Sequence, residues 1–323
     1  MATPGITNAI SNIPVEIFAA YIIEKLRKTN PHVHLATSEN QYVLSGSVVH
    51  IPQAGNSPDV VKNRKTFPAV AMQRGDTNIT YALDVYTTNP THITWQEGAE
   101  INYNKTDSVL NDHVATLIEG IGDNIMYNWM NGLKWNGTAY VPDVLPVANF
   151  IRTTGANTPV NASDGQTGQR KAFTYLDLAR AEAMMNKQNV AKTSRYCLVE
   201  SYMYQQLIDS LSSNQMAAFQ QTADLKNGVV GRLCGFDIME RSSVLAFTAA
   251  DAAVLPGQAL GATDNLAALC WQKDCVATAQ GDIVNFETLK DPLYYGDIFS
   301  MLVKIGGRCR RKDWEGLIPV VQA

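Results

Sequence analysis

Hydrophobic and polar positions alternate along two arms of a stretch between Tyr42 and Thr94. One arm is Ser47–Pro52, and the other is Ile79–Thr87, in which apolar side chains alternate with small or polar ones at the period of a strand. A polar loop rich in Gly, Pro, Asn, Lys and Arg joins the arms. An isolated hairpin of this size is at best marginally stable in water. The pattern therefore predicts a two-stranded finger that another surface must cover, and we assign that surface to a neighbouring subunit.

A single long amphipathic helix is predicted next, starting after Thr106 and Asp107 and ending in a left-handed cap at Asn131-Gly132. At 1.5 Å per residue it is roughly 35 Å long. Gly120 and Gly122 each cost about 1 kcal/mol of helix propensity relative to Ala. We expect close packing to explain them, with a hinge as the alternative. The apolar stripe consists of Leu110, Val114, Leu117, Ile118, Ile121, Ile125 and Trp129.

Residues 1–41 form a separate segment with a short predicted helix. Phe18 and Tyr21 lie on its apolar stripe. The stripe packs either on the core of its own chain or on a neighbouring subunit or another protein, and the pattern leaves these alternatives open.

The middle of the chain alternates between strand and helix. An irregular connection with one short strand is predicted from Trp135 to Gln169. Thr174 and Asp177 then cap a helix, Arg195–Val199 is a buried strand, and Glu200 starts another helix. This alternation indicates an α/β layer arrangement.

The last third consists mainly of strands. Gly228–Ser242 reads as two short strands about a glycine-marked turn, and Ala267–Thr278 as one strand. A long strand is predicted from Ile298 to Ile305, broken by Gly306-Gly307, and Leu317–Val321 closes the chain. The fold class is therefore mixed α+β.

Composition narrows the function classes. The chain has 323 residues, of which 46% are hydrophobic, as expected of a globular protein with a full core. A net charge of −4 argues against a broad basic face for nucleic acid, although weak or local contact remains allowed. No apolar run is long enough to cross a bilayer, so no membrane partner is expected. Free thiols in a reducing cytoplasm are expected for Cys197, Cys234, Cys270, Cys275 and Cys309.

Candidate chemistry is sparse. The sequence has no nucleophile elbow, phosphate-binding loop or zinc-protease motif, so we assign no catalytic, cofactor-binding or metal-binding residue. His32 and His34 would share one face of a strand, where two exposed histidines are a commoner outcome than a metal site.

Two basic clusters are candidates for contacts. Lys62, Arg64 and Lys65 lie in the loop of the finger and suit a carboxylate-bearing neighbour. The second cluster follows the long C-terminal strand and is typical of a solvated turn or of salt bridges between subunits, with contact to packaged nucleic acid as the alternative. This second cluster consists of Arg308, Arg310, Arg311 and Lys312.

The order of these parts resembles that of the major capsid protein of tailed double-stranded DNA phages, the family with the HK97 fold. The best local supports are the strand and capped helix at Tyr196–Tyr202, the paired strands at Gly231–Ser242, and Tyr295-Gly296-Asp297 before the last long strand. The resemblance implies an HK97-like fold with an N-terminal arm, an extended E-loop hairpin, a long spine helix in a peripheral domain, and an α/β axial domain. It places the arm at 1–41, the E-loop at 42–94, the peripheral domain at 95–134 and 272–312, and the axial domain at 135–271 and 313–323.

The same resemblance implies a structural protein and not an enzyme. Its expected partners are copies of itself in hexamers and pentamers, a separate scaffolding protein, a portal protein, and packaged double-stranded DNA by weak contact. Its expected location is the virion capsid, assembled in the host cell cytoplasm, and no cofactor is expected. Phe18 and Tyr21 join Lys62, Arg64 and Lys65 as candidate subunit-interface residues. The alternatives are an encapsulin-like nanocompartment shell and an unrecognised α/β enzyme.

Overall fold

The computed structural model describes residues 30–41, 48–55, 57–69, 71–95, 105–135, 138–161, 165–281, 283–311 and 313–323. The architecture is mixed α+β, as the sequence predicts. The helices are α1 (Lys105–Met130), α2 (Tyr175–Lys187), α3 (Ser201–Asp209) and α4 (Ser213–Gln221). The strands are β1 (Thr37–Ser38), β2 (Val48–Gln53), β3 (Thr77–Ala82), β4 (Asp84–Thr87), β5 (Thr91–Thr94), β6 (Asn131–Trp135), β7 (Tyr140–Val144), β8 (Ile151–Arg152), β9 (Asn157–Pro159), β10 (Gln169–Lys171), β11 (Arg195–Glu200), β12 (Val229–Leu233), β13 (Phe236–Arg241), β14 (Ala246–Phe247), β15 (Ala253–Val254), β16 (Asn265–Gln272), β17 (Val276–Gln280), β18 (Val284–Asp291), β19 (Gly296–Cys309) and β20 (Leu317–Val321).

A six-stranded sheet packs against the long helix α1. Its backbone order is β1-β17-β19-β18, and β4 and β5 also pair with β19. Phe299, Met301, Val303 and Ile305 alternate along β19 and are buried, as predicted. Met301, Val303 and Ile305 share a core with Ile121, Ile125 and Trp129 of α1. The helix therefore covers the buried row of β19 on one face of this sheet.

The predicted break at Gly306-Gly307 is wrong, because β19 runs through both glycines to Cys309. A Cβ on Gly306 would meet the Ala82 carbonyl oxygen at 2.7 Å, and one on Gly307 would meet the Ala277 carbonyl oxygen at 2.6 Å. Each glycine therefore lets a neighbouring backbone approach closely, rather than ending the strand.

The long helix has its predicted length and ends where predicted, at Met130 before Asn131, but it lacks the predicted left-handed cap. Its predicted stripe faces the core except at Ile118, which is 48% exposed. Neither Asn131 nor Gly132 has a positive φ, so the left-handed cap is wrong. The chain instead passes directly from Met130 into β6. Gly122 has the expected packing role, since the Asn30 side chain occupies the space where a Cβ would sit. Nothing lies within 4 Å of a Cβ built on Gly120.

The finger is a real hairpin, in which β2 pairs antiparallel with β3 from Val48↔Ala82 to Gln53↔Thr77. The predicted second arm is divided at Leu83, because β3 belongs to the sheet β2-β3-β6-β7 and β4 to the six-stranded sheet. The base of the finger is covered by its own chain: Val49, Tyr81 and Leu83 cluster with Ala279 of β17. The expectation that another surface must cover the finger therefore applies to its loop and not to its base, which the same chain already covers.

A second large sheet has eight strands, with the order β12-β13-β11-β16-β14-β15. Strand β20 also belongs to it and pairs with β16 on one side and β8 on the other. The predicted caps are confirmed: Thr174 and Asp177 form a capping box on α2, and Glu200 accepts hydrogen bonds at the start of α3. The paired strands β12 and β13 turn at Cys234 and Gly235, which both have positive φ.

Two strand predictions need correction. Ala267–Thr278 is two strands, β16 and β17, which a 3-10 turn at Lys273–Cys275 separates and which belong to different sheets. The interval from Trp135 to Gln169 contains β7, β8 and β9 and not one strand. These strands have only two to five residues each, which is too short for the period of a strand to be recognised.

Candidate assembly interface

The loop between the two arms of the finger comprises residues 54–76, and we call it the tip loop. Every described residue from 57 to 78 is exposed, including Lys62, Arg64 and Lys65. The tip loop also exposes apolar side chains, with Val60 at 98%, Phe67 at 75% and Met72 at 71% of their full area. Such a surface, both apolar and basic, is typical of a contact region.

The neck of the tip loop is fixed by short-range contacts. The Gly55 amide donates a hydrogen bond to Asp76 Oδ1 at 2.8 Å, and Arg74 Nε donates to the same oxygen at 2.6 Å. The guanidinium of Arg74 holds the pKa of Asp76 below its usual value. Gly55 also lies directly against the Gly75 carbonyl, where a Cβ would not fit. The two ends of the tip loop, at Gly55 and at Gly75 and Asp76, are therefore held in direct contact.

Arg308 anchors the base of the finger from inside the fold. Its side chain is 2% exposed and forms an ion pair with Asp143 of β7. Its Nη1 donates to the carbonyl oxygens of Thr80 at 2.8 Å and Leu133 at 2.6 Å. Burial lowers the pKa of the guanidinium, and Asp143 opposes that shift. The expectation that Arg308 contacts nucleic acid or another subunit is therefore corrected: this side chain joins three strands of its own chain.

Arg310 belongs to a second anchor, together with Glu39 and Tyr81. Glu39 is 3% exposed, receives the Tyr81 hydroxyl at 2.8 Å, and pairs with Arg310 Nε at 3.0 Å. Burial is the largest cause that raises the pKa of Tyr81, and the Glu39 carboxylate adds to it. Gln53 Nε2 donates to the Arg310 carbonyl at 2.8 Å. This group connects the segment before the finger, both strands of the finger, and the end of β19.

The remaining predicted contact residues have different positions. The Arg311 side chain is exposed, and the Arg310 side chain retains 31% of its area. Phe18, Tyr21 and Lys312 lie outside the described residues.

The predicted strand at His32 and His34 is wrong, because both lie in a 3-10 turn, Pro31–His34. His32 is fully buried against α1, with Nε2 2.9 Å from the Gly122 carbonyl oxygen. Burial is the main cause that lowers the pKa of His32 to about 4. The described residues contain no group of three or more metal-ligating side chains.

An open depression lies beside the start of α3. Glu200, Ser242 and Ser243 are the ionisable and hydroxyl side chains among the described residues that line it. Glu200 accepts hydrogen bonds from the amides of Tyr202 at 2.8 Å and Met203 at 3.2 Å, so its carboxylate is used as a helix cap. Within the described part of the chain, no helix has the length and apolar character to cross a bilayer.

Comparison with solved structures connects this geometry to a fold. The capsid chain of cyanophage Pam1 superposes with a TM-score of 0.66 at 11% identity, covering 99% of this chain and 98% of that chain. The chain has an HK97-like phage capsid fold. A chain from the cyanophage P-SCSP1u capsid gives a TM-score of 0.63 at 19% identity, covering 95% and 92%. One from the capsid of Ralstonia phage GP4 gives 0.62 at 12% identity, covering 99% and 98%. No protein-family model and no curated protein matches the chain.

The sequence did not reveal the residues that anchor the finger. Asp143, Glu39 and Tyr81 are far apart in sequence and belong to no motif. Tyr81 is the exception, because the alternation along β3 indicates that its side chain is buried.

Proposed function

We propose that this HK97-like chain is the major capsid protein of a tailed phage and that it self-assembles into the icosahedral shell enclosing a double-stranded DNA genome. Its role is structural and not enzymatic. The likeness to phage capsid chains over nearly the whole length supports the proposal. The observation that carries it further is the tip loop, which projects from a firmly anchored base and leaves its apolar side chains in water.

The energetic argument concerns the exposed apolar side chains. Complete burial of one such side chain contributes about 1.5 to 3 kcal/mol. Val60, Phe67 and Met72 can gain this only from a surface outside their own hairpin, because every described residue from 57 to 78 is exposed. In a closed symmetric shell the same modest contact is repeated many times, so the assembly is stable although each contact is weak.

The division into domains is part of the proposal. The spine helix α1 packs on the six-stranded sheet, which supports a peripheral domain of 95–134 and 272–312. Strand β20 returns to the eight-stranded sheet, which supports an axial domain of 135–271 and 313–323. We propose that axial domains meet in pentamers and hexamers, and that residues 1–41 and 42–94 serve as N-terminal arm and E-loop.

The other proposed partners are a separate scaffolding protein, a portal protein and packaged DNA, within a virion assembled in the host cytoplasm. For DNA, Arg311 is the described residue of the C-terminal basic cluster with an exposed side chain, and Arg308 is removed from that set. A net charge of −4 fits weak contact rather than tight binding.

Shortening the tip loop tests the proposal. Residues 57–73 are replaced by a short Gly-Ser linker, which keeps the neck contact between Gly55 and Asp76. We expect a folded monomer with unchanged circular dichroism and no large particles in light scattering, whereas the parent chain assembles. Normal assembly of the shortened chain would contradict the proposed role of the loop. A parent chain that stays monomeric under assembly conditions would contradict the shell itself.

A further inference from the structure

Two of the five cysteines face each other inside the eight-stranded sheet. Cys197 of β11 and Cys270 of β16 are directly opposed partners in the antiparallel register. Directly opposed residues lie on the same face of a sheet, so their side chains meet. The two Sγ atoms are 3.2 Å apart, although the residues lie 73 positions apart in sequence. The fold therefore brings two distant thiols into contact.

The backbone at this pair has the spacing that a disulfide requires. Opposed residues of an antiparallel pair have Cα atoms about 4.5 to 5.5 Å apart. Disulfides span Cα separations of about 4.4 to 6.8 Å, and the S–S bond itself is about 2.05 Å long. The two sulfurs therefore need to approach by roughly 1 Å to form the bond, a movement that small rotations of the two side chains can supply.

The sulfur contacts distinguish this pair from other cysteines. Cys234 Sγ lies 4.0 Å from the Tyr175 carbonyl oxygen, and Cys309 Sγ lies 3.9 Å from the Arg311 carbonyl oxygen. Those thiols therefore face backbone, whereas the thiol of Cys270 donates its hydrogen bond to another sulfur. A thiol that already contacts a second sulfur is positioned for an S–S bond.

Both thiols are buried beneath two helices. Cys197 and Cys270 are each 0% exposed. They share a core with Leu178 of α2 and with Met203 and Leu207 of α3. Burial is the largest cause that raises the pKa of the Cys270 thiol, and the hydrogen bond with Cys197 adds to it. Since the thiolate is the reactive form, the pair reacts slowly with an oxidant and does so when the fold opens locally.

We propose that Cys197 and Cys270 form a disulfide when a peroxide reaches the folded chain, and that they stay thiols in a reducing environment. Hydrogen peroxide oxidises one thiol to a sulfenic acid and releases one water. The second sulfur then attacks the sulfenic sulfur and releases a second water. Two S–H bonds and one O–O bond are thus replaced by one S–S bond and two water molecules, and the peroxide takes up the two electrons that the thiols lose.

The bond stabilises the fold with little change to it. Joining residues 73 positions apart restricts the unfolded chain, whereas β11 and β16 are already paired in the folded one. Burial also slows the access of reductants to the bond once it has formed. The inference concerns the single chain and goes beyond the proposed shell function. Its consequence for a particle that leaves the host cytoplasm, namely a bond gained outside the cell, rests on that function.

Oxidation of the full chain tests the proposal. The purified chain is incubated with hydrogen peroxide, its remaining thiols are alkylated in denaturant, and its peptides are analysed without reduction. We expect the main disulfide to link the peptides of Cys197 and Cys270. Cys234→Ser is the matched control, because it removes a half-buried cysteine next to the same core and should leave this linkage unchanged.

Thermal unfolding gives a second readout. The oxidised parent chain should melt about 4 °C or more above the reduced chain, and Cys270→Ala should show no such rise. The parent chain carries the test even if that variant does not fold. The proposal is overturned if both cysteines remain alkylatable after Cys234 has been oxidised, or if Cys270 links mainly to Cys234.

Discussion

Arg308 of β19 and Asp143 of β7 form an ion pair at the base of the finger, with the arginine side chain 2% exposed. The same guanidinium donates to the Thr80 and Leu133 carbonyls, so one side chain joins β3, β6 and β7 to the long strand. It also lies over the Trp314 ring at 5.0 Å from the centroid. The base of the finger is therefore fixed, and movement that fits one sequence to different neighbours is expected in the tip loop.

Arg308→Leu should lower the free energy of unfolding by about 3 to 5 kcal/mol, because it removes the ion-pair partner of Asp143 and the guanidinium hydrogen bonds to the Thr80 and Leu133 carbonyls. Urea denaturation of the monomer measures the loss. Arg311→Leu is the matched control, since its exposed side chain predicts a change within about 0.5 kcal/mol. Equal effects of the two substitutions would show that the buried contacts contribute no specific stability.

The substitutions Gly307→Ala and Gly120→Ala should change stability in opposite directions. At Gly307 a Cβ meets the Ala277 carbonyl oxygen at 2.6 Å and Ile125 Cδ1 at 2.9 Å, so overpacking should cost about 1 to 3 kcal/mol. At Gly120 the space is open within the helix, so alanine should add up to about 1 kcal/mol. Thermal unfolding of both variants checks the pair. Stabilisation by Gly307→Ala would mean that the two strands can move apart freely.

Burial of His32 makes stability depend on pH. The unfolded chain binds a proton near pH 6.5, whereas the folded chain does so only near pH 4, because burial lowers the pKa of the imidazole. The unfolded state therefore holds more protons between these values. The contribution is complete above pH 6.5 and is lost as the pH falls to about 4, and it is on the order of 3 kcal/mol.

The test compares urea unfolding of the parent chain and His32→Gln at several pH values from 7 to 4. The difference in unfolding free energy between them should shrink as the pH falls, because the parent alone carries the penalty for charging this imidazole. His50→Gln, at an exposed position of β2, should keep the parent's pH profile. A constant difference between His32→Gln and the parent would contradict the assigned burial.

Trypsin should distinguish free from assembled subunits. In the monomer we expect cleavage after Lys62, Arg64 and Lys65, because every described residue of the tip loop from 57 onward is exposed. In shells the same bonds should be protected at least tenfold, since the docked loop cannot enter the protease. Mass spectrometry of the first fragments identifies the sites. Cleavage at equal rates in both forms would mean that the tip loop stays free after assembly.

Local pattern was sufficient for much of the fold. The alternation along β2, β3 and β19 and the caps at Thr174 and Glu200 are encoded by neighbouring residues, and the structure confirms them. The prediction that Gly306-Gly307 breaks the strand was wrong. Glycine is needed there because the backbone of another part of the chain lies where a Cβ would be. Sequence alone does not reveal such a contact.

The candidate site was less accessible to prediction. Basic residues in the loop could be recognised as exposed, since they lie among Gly, Pro and Asn. In the C-terminal cluster, Arg308 and Arg311 look equivalent in sequence, but strand alternation and the position of Asp143 bury the first and leave the second in solvent. Which basic residue serves the fold and which serves a contact depends on tertiary pairing.

Electron cryomicroscopy of the full chain under assembly conditions, with co-expressed scaffolding protein, tests the central claim most directly. The account predicts closed polyhedral shells built of pentamers and hexamers, wide enough for a phage genome, with residues 54–76 of each subunit lying against a neighbouring subunit. Uniform monomers would contradict the shell, and small closed shells that enclose an enzyme would favour a nanocompartment instead.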